Sequence, residues 1–195
     1  MPGVGGIEGN ARLTAAAAAV LLVLLAAEGA TIPMIHQLLS MHVLLGLALI
    51  PPVLLKLAST GWRFMRYYRG DPEYVAKGPP HPFLRFLVAP LVVVSTVTLF
   101  GTGVALAVMH PQHGLVLGLH KASFVIWFGS MSAHVLAHSG TMLRWARGLG
   151  RFWPGRTPRT ALVAVALAAG LVVALASLPA AHAWSHWAAL RHFDH

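Results

Sequence analysis

Twelve histidines and no cysteine stand in this chain of 195 residues. Without cysteine there is no disulfide, thiolate metal ligand, iron–sulfur cluster or c-type haem attachment, so any metal chemistry must run through imidazole. Three histidines, His42, His120 and His134, fall inside apolar runs, where an ionisable side chain is costly and by default marks function. On an α-helix the 14-residue step from His120 to His134 is a rotation within about 40° of four full turns and a rise of about 21 Å. The two share a face near opposite leaflets. That separation is what two stacked haems in a bilayer require, each iron taking one axial imidazole from this helix and a second from a facing helix. His42 lies near the outer end of an earlier run, as His120 does in its own, and the two runs point the same way. A His42/His120 bis-imidazole pair is therefore geometrically available. For any one of these histidines alone, the plain alternative is an interhelical hydrogen bond worth about 1 kcal/mol.

The elements that must carry these histidines are membrane spans. Of all residues 57% are hydrophobic and 10% charged, and the mean hydropathy is +0.70, far from the roughly 25% charged of soluble domains. Apolar stretches at about 13–30, 36–59, 83–109, 115–140 and 160–181 are each long enough to cross about 30 Å of hydrocarbon, and backbone satisfaction in lipid makes them helices. The expected fold is all-α: a single transmembrane domain over 1–195, a polytopic bundle of four or five spans, with haem between the second and fourth. The first span is the ambiguous one. Leu13 to Ala27 is short, follows a lone Arg12 and ends in small residues, which also describes a cleavable signal peptide.

Charge sets the orientation. The net charge of +9 does not form a nucleic-acid stripe; the basic residues sit between apolar runs. Arg63, Arg66, Arg69, Lys77 and Arg85 lie between the second and third spans, and Arg144, Arg147, Arg151, Arg156 and Arg159 between the fourth and fifth. With Arg12 and Lys56 on the same side, only Lys121 and Arg191 of the 14 Lys and Arg fall opposite. The positive-inside rule places the basic loops in the cytoplasm and the C-terminus outside a cell membrane. Tyr67, Tyr68, Trp145 and Trp153 on the inner side, with Trp184 and Trp187 on the outer, are expected interfacial anchors.

The second and fourth spans read as an internal repeat, Met41-His42-Val43 through Lys56-Leu57 against Leu119-His120-Lys121 through His134-Val135. Lys56 then stands opposite His134. The preceding spans echo each other too, with Glu28-Gly29 before the first histidine and Thr102-Gly103 before the second. Gly46, Gly101, Gly103 and Gly129 would let a flat macrocycle or a neighbouring helix approach the backbone, and plain helix packing explains each alone equally well. His138 and His81 are substitute candidates for an inner ligand.

At Phe100-Gly101-Thr102-Gly103, Leu119-His120 and the step to His134, the chain resembles the membrane-embedded cytochrome b superfamily, in particular the haem-carrying gamma subunits of formate dehydrogenases and hydrogenases and the ferric-reductase-like transmembrane proteins. The resemblance spans roughly residues 13–142. It implies b haems held by paired histidines near each leaflet, passing electrons between a quinone pool and a partner redox protein or external acceptor. His42, His120 and His134 are then metal ligands, with Gly103 and Lys56 at the cofactor. The chain departs from the two-haem pattern at Lys56, where the inner partner should be an imidazole. One outer haem b is expected, with a second inner haem left open.

The expected function is thus a b-type haem transmembrane electron-transfer subunit of an oxidoreductase rather than a complete enzyme. The alternative is a metal-binding or metal-transporting membrane protein without haem, its histidines forming a pathway. His36, His110, His113, His182, His186, His192 and His195 fall on the outer side. His182 and His186, four apart, have metal-ligand spacing on a helix; a solvated tail is the blander explanation. Nothing resembles a phosphate loop, a nucleotide fold or a Ser-His-Asp arrangement.

Overall fold

The computed structural model describes residues 7–76, 78, 82–109, 114–147 and 158–190. Within them the chain is helical and no strand occurs: α1 is Ile7–Thr31, α2 Ile35–Tyr68, α3 Pro72–Ala76, α4 Ala89–Met109, α5 Leu115–Arg147 and α6 Pro158–Leu190. Four helical stretches are long and apolar enough to cross a membrane: Leu13–Tyr68, Arg85–Met109, Leu115–Ala137 and Ala161–Ala180. This is consistent with a multi-pass membrane protein. Large apolar side chains such as Val23, Leu54, Val94, Val125 and Val172 stand exposed along these helices, as lipid-facing positions require.

The helices fall into two compact units, one of residues 1–69 and 156–195, the other of residues 70–155. In the first unit the 56-residue stretch from Leu13 to Tyr68 folds back on itself. The reversal is a short 3-10 turn, Ile32–Met34, with Pro33 in its first positions, where a missing N–H leaves nothing unsatisfied. Antiparallel pairing follows: Thr14 Oγ1 donates to Ser59 Oγ at 3.3 Å, and Lys56 Nζ donates to the Thr14 carbonyl at 2.9 Å. Leu13, Ala17 and Leu21 of α1 are buried, as are Leu49 and Val53 of α2. Helix α6 packs along α2. Buried Gly170 rests on the Ala48 carbonyl so closely that a Cβ there would overlap the oxygen.

Helix α2 has 34 residues and carries Pro51 and Pro52 inside it. At 1.5 Å per residue it is about 51 Å long, well beyond the roughly 30 Å of hydrocarbon. The expected span 36–59 marks the apolar part, and the helix continues through Arg63 and Arg66 to Gly70, whose φ of +75° ends it. Helix α6 likewise continues past Pro179 to Leu190.

In the second unit Asp71 Oδ1 accepts the Glu73 backbone N–H at 3.1 Å and starts α3. A π-helical turn, Leu84–Val88, leads into α4. Pro90 has no N–H to give the Phe86 carbonyl, which favours this wider turn. Helices α4 and α5 pack antiparallel: Trp127 Nε1 donates to Thr96 Oγ1 at 3.0 Å, deeper in the pair than the contact of Thr102 with His120.

Candidate functional site

The same local device recurs in each unit, built on a threonine and a histidine from successive long helices. In the second unit Thr102, on α4, donates its hydroxyl proton to the Thr98 carbonyl at 2.6 Å, with the Leu99 carbonyl also near at 3.1 Å. That hydroxyl can only accept from His120 Nδ1, which lies 3.0 Å away. The Leu99 carbonyl lies 3.2 Å from the same nitrogen and can likewise only accept. The proton of a neutral His120 therefore sits on Nδ1, and the lone pair sits on Nε2. Gly103 makes room for the ring: a Cβ at that position would come within 3.3 Å of His120 Cε1. Among the described residues, both hydrogen bonds of this ring run through Nδ1.

In the first unit Thr31 ends α1 and donates to the Glu28 carbonyl at 2.6 Å. Its oxygen then accepts from His42 Nδ1 at 2.8 Å. The Glu28 carboxyl adds a second acceptor, Oε1, at 3.0 Å from the same nitrogen. His42 is also an Nδ1–H tautomer, with its lone pair at Nε2. The side chains of His42 and Glu28 are 21% and 15% exposed, which removes most of the water that would compete for these bonds. Gly46, one turn beyond His42, leaves space for the carboxyl: a Cβ there would lie 3.4 Å from Glu28 Oε1. One turn before His42, Leu38 departs from helical geometry with φ −110° and ψ 18°. The start of α2 is bent at the level where His42 meets α1.

A histidine that gives its Nδ1–H to a fixed acceptor has its ring orientation and tautomer set, and Nε2 becomes the better base; metal-ligating histidines are prepared in this way. The donor set fits an axial imidazole at each position. A haem iron takes four ligands from its porphyrin and one or two from protein. No group of three His, Asp or Glu close enough to hold an ion occurs among the described residues.

The other expected site residues stand as follows. His134 is half-buried on α5, with Trp127 midway between it and His120 in the sequence. Lys56 is tied to α1 by its bond to Thr14. Gly103 sits against an imidazole, and Gly46 against a carboxyl; Gly29, Gly101 and Gly129 have nothing within 4 Å of where a Cβ would be. His36 is exposed. His81, His110, His113, His192, His195, Lys77 and Trp153 lie outside the described residues, as do the side chains of His138, His182, His186, Trp145 and Trp187. Trp184 is 4% exposed, packed inside its unit rather than presented as a headgroup anchor. Thr31 and the Leu99 carbonyl carry no sequence signal of their own. Comparisons with models of known families, with curated proteins and with solved structures return no match.

Proposed function

We propose that the chain is a b-type haem electron-transfer subunit of a membrane, with His42 and His120 each prepared within its own unit as a haem-ligating imidazole. The observation that supports this reading is the twofold use of one device: each ring gives Nδ1–H to a threonine whose own proton is already committed to its helix, so Nε2 is the lone-pair nitrogen. When bound, haem would supply a one-electron couple. The chain's own work is to fix the two imidazoles: Thr31 and Glu28 orient His42, Thr102 and the Leu99 carbonyl orient His120, and Gly103 lets the second ring lie against α4. Both imidazoles are half-buried within their units.

In this reading the protein passes electrons between a quinone pool or partner redox protein and an acceptor, its basic loops facing the cytoplasm and its C-terminus outside. A second haem at His134 is the open extension of the same proposal. The test is haem content: His42→Ala or His120→Ala should abolish or strongly deplete the outer haem, while His110→Ala or His186→Ala leaves it unchanged. Full haem after replacement of both His42 and His120, in protein that still folds in membranes, refutes the assignment.

A further inference from the structure

We propose that Glu28 is a positioning residue that makes His42 a stronger electron donor to a bound haem iron than a histidine with neutral acceptors alone, such as His120; this rests on the haem reading above. The two histidines share the threonine device and differ in their second acceptor. His120 has a neutral backbone carbonyl, Leu99 O, at 3.2 Å. His42 has a carboxyl oxygen, Glu28 Oε1, at 3.0 Å. The other oxygen, Oε2, is buried and has no hydrogen-bond partner among the described residues, and the nearby Thr31 hydroxyl proton goes to the Glu28 backbone carbonyl rather than to the side chain. The acceptor strength of the carboxyl is therefore directed at His42 Nδ1.

A carboxylate at lipid depth with an unpartnered oxygen is costly unless a positive charge stands close by. A ferric porphyrin centre on the far side of the imidazole offers that charge, and a ring N–H held by a carboxylate makes Nε2 more basic. Both effects favour the oxidised iron and lower the reduction potential. Gly46 belongs to the same arrangement, because a side chain at that position would press on Oε1.

The experiment compares the haem-loaded full chain with Glu28→Gln, which keeps the shape and one acceptor oxygen but not the charge, and with Thr31→Val, which removes a neutral acceptor. Potentiometric titration followed at the haem band and electron paramagnetic resonance of the oxidised low-spin iron read the ligand field directly. The expected result is full haem in Glu28→Gln with a midpoint shifted to more positive potential and altered g-values, and a smaller shift in Thr31→Val. Full haem with an unmoved midpoint and unmoved g-values in Glu28→Gln overturns this inference and leaves the haem reading standing. Wild-type protein that takes up no haem overturns both. Loss of haem from both Glu28→Gln and Glu28→Asp with the helices intact also overturns it, since Glu28 would then be a structural requirement.

Discussion

Replacing Thr102 with valine removes one hydroxyl and changes almost nothing in volume, so it isolates the second acceptor of His120. In the wild type Nδ1 is held by Thr102 Oγ1 at 3.0 Å and by the Leu99 carbonyl at 3.2 Å. After Thr102→Val the carbonyl still accepts the proton, so the tautomer is kept and Nε2 remains the lone-pair nitrogen. What is lost is one hydrogen bond, a net contribution of about 1 kcal/mol, together with part of the restraint on ring orientation. Loss of an outer-shell partner typically lowers metal affinity by about 10- to 100-fold. With one acceptor left the effect belongs at the lower end, about tenfold, or about 1.4 kcal/mol. Titration of haem into the purified apoprotein in detergent, followed by the rise of the low-spin absorption, measures it. Wild-type affinity in Thr102→Val would refute the argument that the hydroxyl prepares the ring. Complete loss of haem with the helices intact would show that the Leu99 carbonyl alone does not hold the tautomer.

Gly170→Val places a branched side chain against the Ala48 carbonyl, where even a Cβ overlaps; because the obstacle is backbone, α2 and α6 must separate, at a cost of about 1–3 kcal/mol or more, and thermal unfolding in detergent should show a lower midpoint. Helix α1 is stapled to α2 by Lys56 and Ser59 at Thr14 and by Glu28 and Thr31 at His42, with Leu13, Ala17 and Leu21 buried. The membrane-extracted protein should accordingly retain α1, and an N-terminus mapped downstream of Thr14 by intact mass would contradict this. Reporter fusions after Gly70 and after His195 should report opposite compartments, and the same compartment for both would contradict the orientation drawn from the basic loops.

The sequence made the histidines legible because an imidazole in an apolar run is costly enough to need a reason, and because helical periodicity relates His120 to His134 without further information. It also pointed to Glu28 and to Thr102-Gly103 as the segments preceding each histidine, and the structure brings Glu28 against His42 and Thr102 and Gly103 against His120. Gly29, read with Glu28, turns to open space, since side-chain direction depends on how α1 rotates against α2. Thr31 was illegible for a related reason. It sits eleven residues before His42 across a reversal, and that reversal is a three-residue 3-10 turn inside one long helical stretch. Lys56 was legible as an anomaly, but its bond to Thr14 depends on the α1/α2 register, which apolar patterning does not set. Helix ends lie beyond the apolar runs where composition and backbone disagree: the arginines after Ser59 end the apolar run, whereas the helix itself runs on to Tyr68 and is closed by Gly70.

A reduced-minus-oxidised absorption spectrum of the protein purified from haem-replete membranes tests most directly whether His42 and His120 hold a low-spin haem. A b-type spectrum with sharp bands on reduction, lost when His42 and His120 are both replaced, is the predicted result; a colourless protein that stays folded and takes up no added haem would contradict it.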